Sequence, residues 1–246
     1  MRVAIDGGTW GNRRGYGRYT RELVAALARR QRHEYVLVLD DRTRAVAGAL
    51  PEGLAVHEVR LGDAPSDGAS ADGWRSPRDM WRMARALTAV AADIVLFPSV
   101  YTFVPLLRRV PALVTIHDVI AERWPRLVFA SPRARLFWNL KVRAARWQAV
   151  RILTVSEHAS RGIQAVFGEA PSRIRVSGEA PAAMFQPVRD AKRIQRVIAA
   201  CGLDPDAEVI AYVGGVSPHK NLPALVRVFA RLLAAKPDRA IRLLIV

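Results

Sequence analysis

A single cysteine, Cys201, in 246 residues excludes an internal disulfide and any cysteine-ligated metal site. No histidine or other general base stands near it in sequence, so its expected role is structural. No apolar run approaches the length of a membrane span, and the chain opens straight into a strand without a leader pattern. A cytoplasmic location is therefore the expectation. Acids are scarce, 22 against 38 Lys and Arg, which leaves a formal charge of +16. Lysine is scarcer still, present only at Lys141, Lys192, Lys220 and Lys236. The excess suits anionic surroundings such as phospholipid or a phosphorylated acceptor, although an arginine- and alanine-rich composition alone produces the same numbers. The basic residues are scattered along helices, neither gathered in a tail nor interleaved with aromatics, so no nucleic-acid motif is present. Apolar residues are plentiful. At 51% hydrophobic, the chain can bury the core of one large or two smaller globular domains.

The chain is organised around Asp6 to Thr20, a loop with five glycines (Gly7, Gly8, Gly11, Gly15, Gly17) between a short apolar strand, Val3 to Ile5, and a helix. Tyr19, Leu23, Ala26, Leu27 and Arg30 recur at helical spacing. Glycines permit positive φ and close backbone approach to a ligand, and a helix N-terminus attracts anions. With Arg13, Arg14 and Arg18 alongside, a phosphate or another anion is the expected guest; a solvated surface turn is the plain alternative. A dinucleotide turn with Asp40 as the ribose acid fits poorly, because about eight residues separate the strand from Gly15-Tyr-Gly17.

Further strands are expected at Tyr35–Leu39, Leu54–Val59, Asp93–Phe97, Ala112–Ile116, Arg151–Val155, Ile174–Val176 and Glu208–Val213. Alternating with helices, they predict a parallel sheet. Gly62–Gly73 is a loop by composition, with Trp74 at its edge as a possible ligand contact. Ligands of such sheets gather at the carboxyl ends of strands, which makes Ser99, His117 with Asp118, and Ser156 candidates. For His117 a satisfied structural histidine is the competing reading. Ser131–Gln148 predicts a long helix with an apolar stripe of Leu136, Leu140, Ala144 and Trp147, and Trp138 with Val142 on the opposite side among arginines. One face is expected on the sheet; the other faces a partner or a membrane, or the helix is covered on both sides. Ser156 should cap one helix and Asn221 another, with Pro223 in its first turn. Gly214-Gly215 and His219-Lys220 repeat the logic of the first loop, suiting a diphosphate. The chain stops within an apparent strand, Leu243–Val246, which predicts a fragment of a longer protein or dependence on a partner.

Four segments, Gly15-Tyr-Gly17-Arg18-Tyr-Thr, Thr115-Ile-His117-Asp118, Leu153-Thr-Val-Ser156-Glu157 and Tyr212-Val-Gly-Gly215-Val-Ser-Pro-His219-Lys220-Asn, make the chain resemble the family-4 glycosyltransferases of the GT-B fold. The resemblance implies an α/β fold of two Rossmann-like domains. Residues 1–188 would form the acceptor-side domain, and 189–246 an incomplete start of the nucleotide-sugar domain. It implies transfer of a hexose, mannose or glucose being candidates, from a nucleoside-diphosphate sugar to an acceptor hydroxyl with retention. The acceptor would be a carbohydrate, a lipid-linked or a small molecule, and no metal or other cofactor is implied. His117 and Asp118 are the implied catalytic pair. Gly15, Gly17, Arg18, Gly215, His219 and Lys220 would bind the donor diphosphate, and Gly8, Ser99, Ser156 and Glu157 would lie near acceptor and sugar. Two departures stand out: Gly215 occupies a position where many relatives carry arginine, and the family's Glu-rich motif is absent from the chain, so that the resemblance implies a chain that is incomplete and inactive alone. The alternative is a non-catalytic acceptor-binding or scaffold subunit. The +16 charge, Arg13-Arg14 and the arginines around Trp138 and Val142 further predict docking on an anionic membrane, peripheral to the inner face.

Overall fold

The structure, a computed structural model, describes residues 1–13, 15–62, 71, 75–182, 185–204 and 207–246. They divide into two compact units, Met1–Ala180 and Pro181–Val246. The division precedes residue 188. Val176 is the last residue paired in the large sheet, and Gly178, at φ +68°, turns the chain away in a left-handed conformation that glycine tolerates.

The first unit is built on seven strands: β1 (Arg2–Asp6), β2 (Glu34–Asp40), β3 (Leu54–Val59), β4 (Ile94–Phe97), β5 (Ala112–Thr115), β6 (Ala149–Thr154) and β7 (Ile174–Val176). All pair in parallel, in the order β3-β2-β1-β4-β5-β6-β7. Helices α1 (Gly15–Arg30), α2 (Asp41–Val46), α3 (Pro77–Ala89), α4 (Ile120–Arg123), α5 (Pro125–Val128), α6 (Pro132–Gln148) and α7 (Glu157–Phe167) connect them. Strand side chains alternate between two cores. Val3, Ile5, Leu37 and Leu39 join Val24 of α1 on one face, while Ala4, Val36, Val38, Val95 and Phe97 join α3, α6 and α7 on the other. Burial on both faces accounts for the nearly continuous apolar strands. The order reverses between β1 and β4, and their carboxyl ends form the switch point where open α/β sheets leave a crevice.

Several expectations change in register. The buried side of α1 is Gly17, Thr20, Val24 and Ala28, turned from the expected stripe, and Ala26 is exposed. Gly7, Gly8, Gly15 and Gly17 are not at positive φ. Gly7 and Gly17 serve close packing within the protein: a Cβ on Gly17 would stand 1.9 Å from the Asn12 carbonyl oxygen, and one on Gly7 2.4 Å from Leu39 Cδ2. Asp40 is fully buried and caps α2, accepting from the Thr43 amide at 2.9 Å, so it offers no ribose contact.

The α6 assignment inverts. Trp138 (4% exposed), Val142 and Ala145 form the buried face, whereas Leu136, Leu140 (53%) and Trp147 (82%) point to solvent. The Trp138 indole packs on Tyr101 and Phe129 and donates to Glu122 at 2.7 Å, and Arg146 is paired with Glu169 at 2.7 Å. The membrane surface expected around Trp138 and Val142 is therefore core. Most of the loop 62–73, together with Arg14 and Trp74, lies outside the described residues.

The second unit holds α8 (Ala191–Ala200), β8 (Glu208–Tyr212), α9 (Leu222–Ala235) and β9 (Ile241–Ile245), with β8 and β9 paired in parallel. Cys201 is exposed here, against the expectation of a structural residue. Asn221 precedes α9 at φ +53° and makes no side-chain cap, because its left-handed backbone carries the turn instead. No helix among the described residues is long and apolar enough to cross a membrane.

Candidate functional site

The switch point brings together the ends of β1, β4 and β5. Asp6, fully buried at the end of β1, accepts from the Gly8 amide at 3.0 Å and from Thr102 Oγ1 at 2.6 Å, which ties the first loop to the turn after β4. Burial pushes the Asp6 carboxyl above its usual range, opposed by those hydrogen bonds and by the charge of Arg75. A Cβ on Gly8 would meet the Thr102 side chain at 3.0 Å, so this glycine is a packing requirement.

His117 follows β5 and faces the Pro98 carbonyl, 2.9 Å from Nε2. A carbonyl only accepts, so Nε2 carries the proton and the neutral ring presents Nδ1 as an acceptor. Burial lowers the His117 pKa, opposed by the Pro98 contact and the charges of Glu179 and Asp118, which favours this neutral form. Tyr16 and Tyr19 from the start of α1 set their rings edgewise to the imidazole, at 5.1 and 4.7 Å between centroids. The Tyr16 hydroxyl donates to the Tyr101 hydroxyl at 3.0 Å, and the Tyr19 hydroxyl lies 3.3 Å from Ser177 Oγ. Burial raises the Tyr101 pKa well above its usual value, so its hydroxyl stays protonated.

The other expected residues divide by location. Asp118 is half-buried beside His117, and its Oδ1 accepts from the Ile120 amide at 2.9 Å, holding the turn into α4. Ser99 is fully buried and caps the turn after β4 through the Tyr101 amide. Ser156 caps α7 through the Ala159 amide at 3.1 Å, and Glu157 is exposed in the same first turn, favourably placed for the helix dipole. Gly15 and Gly17 open α1, and a Cβ on Gly15 would meet nothing within 4 Å. Arg18 lies close enough to Arg21 for its charge to lower the Arg21 pKa, after the larger effect of burial, while Arg21 itself donates to the carbonyls of Trp10 and Asn12. Gly215, His219 and Lys220 belong to the second unit. Gly215 accepts from the Tyr212 hydroxyl at 2.9 Å, and His219 and Lys220 are exposed on the short turn ahead of α9. Among the described residues no cluster of His, Cys, Asp or Glu could hold a metal ion.

Tyr16, Tyr101, Arg75, Lys141 and Glu122 were not singled out by sequence. Only the scarcity of lysine could have flagged Lys141, and nothing in the spacing brings a residue of α6 to the turn after β4. Lys141 Nζ donates to the Tyr101 carbonyl at 3.1 Å and lies 5.2 Å from the centroid of the Trp138 ring. Burial, with the nearby charge of Arg75, lowers its pKa to about 8.

Residues 13–177 match the sequence model of Glycosyltransferase Family 4. The chain is 27% identical over 259 residues to a D-inositol 3-phosphate glycosyltransferase of Kribbella flavida, covering 96% of this chain and 57% of that protein. It is similar in fold to Anabaena HepE solved with UDP and glucose, at TM-score 0.63 and 11% identity, covering all of this chain and 60% of the other. A sucrose-phosphate synthase of Thermosynechococcus elongatus superposes at TM-score 0.66 and 15% identity, over all of this chain and 62% of that one. The chain thus spans about three fifths of the length of these relatives.

Proposed function

Because the chain belongs to Glycosyltransferase Family 4, we propose that it takes part in moving a hexose from a nucleoside-diphosphate sugar to an acceptor hydroxyl, with retention of configuration. The observation that carries this reading is the match of the family to residues 13–177, the stretch that contains the His117 cluster at the switch point. The UDP bound in Anabaena HepE and the phosphorylated acceptor in the name of the Kribbella relative support a nucleotide donor and a hydroxyl acceptor.

In this reading Lys220, with His219 and the backbone at Gly215, grips the donor diphosphate. An ammonium beside the departing diphosphate offsets the charge that develops as the glycosidic bond breaks, so no metal ion is needed. His117 lies beside the transferred sugar, where its Nδ1 accepts from a sugar hydroxyl, and Asp118 supports the turn that carries it. Gly15, Gly17 and Arg18 face donor phosphate or acceptor, with Ser156 and Glu157 nearby. For a lipid-borne acceptor, docking on an anionic bilayer falls to the solvent side of α6, a helix with no acidic residue that exposes Leu136, Leu140 and Trp147.

The test is to incubate a protein carrying this chain together with a complete nucleotide-sugar domain with labelled UDP- and GDP-sugars and a panel of acceptors, and to assign the anomeric configuration of any product. Transfer with retention supports the reading. Binding of acceptors without transfer from any nucleotide sugar gives the non-catalytic, acceptor-binding reading its place.

A further inference from the structure

The bond from Nε2 to the Pro98 carbonyl, 2.9 Å, selects the protonated nitrogen of His117 but leaves the ring free to turn about that bond, and Nδ1 would turn with it. Two rings from α1 remove that freedom. Tyr16 and Tyr19 stand three residues apart on one side of the helix, and both meet His117 edgewise, at interplanar angles of 61° and 84°. Edge-to-face contact is an arrangement that aromatic quadrupoles favour, so each ring resists rotation of the imidazole.

The fold holds both tyrosines independently of the histidine. Thr20, fully buried, donates from Oγ1 to the Tyr16 carbonyl at 3.0 Å, which makes Thr9 the donor in the 2.6 Å bond between the Thr9 and Thr20 hydroxyls. Arg21 donates to the carbonyls of Trp10 and Asn12, and Gly17 packs on the Asn12 carbonyl, so the first turn of α1 is bound to the loop that precedes it. At their far ends the tyrosines are anchored again. The Tyr16 hydroxyl donates to Tyr101, and the Ser177 hydroxyl donates to the Thr154 carbonyl at 3.2 Å, which leaves the Tyr19 hydroxyl as donor to Ser177. Both rings are half-buried and belong to neither core.

We infer that Tyr19, assisted by Tyr16, is a positioning residue for His117, its ring fixing the direction in which Nδ1 accepts a hydrogen bond. The inference rests on the glycosyltransferase reading only in giving that bond to a hydroxyl of the transferred sugar. The charges that act on His117 are those of Asp118 and Glu179, and both favour imidazolium, against the larger effect of burial. Rings that keep water from the imidazole therefore also keep Nδ1 unprotonated and able to accept.

Nuclear magnetic resonance of the 246-residue chain, labelled with 15N at its five histidines, tests this, His117 being assigned by the loss of its resonances in His117→Gln. Expected in the parent is one neutral tautomer, protonated at Nε2. Tyr19→Leu should bring a mixture of tautomers and raise the His117 pKa toward its ordinary value, and Tyr16→Leu should do so independently. Tyr19→Phe, which keeps the ring and loses only the hydroxyl, should restore the parent spectrum. A His117 spectrum unchanged in whichever leucine variants fold overturns the inference, whatever happens to Tm. A Tyr19→Phe spectrum that matches Tyr19→Leu also overturns it, by giving the effect to the bond with Ser177. In a protein carrying this chain together with a complete nucleotide-sugar domain, Tyr19→Leu should lower kcat for transfer from UDP-glucose or GDP-mannose about tenfold, which corresponds to about 1.4 kcal/mol, the size of one lost edge-to-face contact, with donor KM little changed. A raised KM with kcat intact would make Tyr19 a substrate contact and sink the positioning role. Altered tautomers with no transfer from any nucleotide sugar leave the positioning in place and remove the transferase reading, whereas transfer with unaltered tautomers does the reverse.

Discussion

Replacing Lys141 by methionine should make the protein more stable. A pKa of about 8 in the fold, against 10.5 for an unperturbed lysine, means that holding Lys141 charged at pH 7 costs about 3 kcal/mol, an upper bound because the side chain is only half-buried. Methionine keeps the unbranched stem beside Trp138 but loses the donor to the Tyr101 carbonyl and the cation over the ring, together worth roughly 1–2 kcal/mol. The net expectation is a gain on the order of 1–2 kcal/mol, or about 3–6 °C in Tm for a unit of this size. Because the folded-state pKa is depressed, the unfolded chain binds more protons between pH 8 and 10.5, and the parent recovers stability as pH rises through that window. The charge acting on Lys141 comes from Arg75, which stays protonated, and the Tyr101 hydroxyl stays neutral. Thermal unfolding followed by circular dichroism at pH 7 and pH 10 should therefore show the variant melting higher at pH 7 and the difference narrowing at pH 10. A variant that melts lower at pH 7, or a difference independent of pH, refutes the reasoning and makes Lys141 a net contributor to the fold.

Gly17→Ala places a methyl 1.9 Å from backbone oxygen and should cost about 2–3 kcal/mol, while Gly15→Ala, with open space around it, should change stability little; paired urea titrations check the contrast. Lys220→Ala should weaken nucleoside-diphosphate binding by roughly 1.5–3 kcal/mol, measured by calorimetry, and unchanged affinity would remove Lys220 from the donor site. His117→Ala should lower turnover more than donor affinity in steady-state kinetics, whereas a matching loss of Tm would make the histidine structural. Sedimentation with anionic vesicles should show binding that fades as salt rises and is weakened by Trp147→Glu, a fully solvent-facing change; retention of binding in that variant would move the contact away from α6.

The sequence by itself determined the parallel α/β class, nearly every strand, the cap of Ser156 on α7 and the place of His117 at a strand's end. These depend on local patterns: runs of apolar residues buried on both faces, helical periodicity, and a hydroxyl one residue ahead of a helix. Only the tertiary structure decided which face of a doubly apolar helix is buried. In α6 both stripes satisfy the same period, and the choice fell to Trp138 because its indole finds Tyr101, Phe129 and the Glu122 carboxylate. The use of the loop glycines was likewise settled by contact with Asn12 and Leu39, since composition cannot distinguish a glycine that admits a ligand from one that admits the protein's own backbone. Arg75 and Lys141 lie far apart in the chain and carry no shared motif. They meet because the reversal of strand order between β1 and β4 sets the turn at Tyr101 and Thr102 beside both, a juxtaposition that follows from topology and not from spacing.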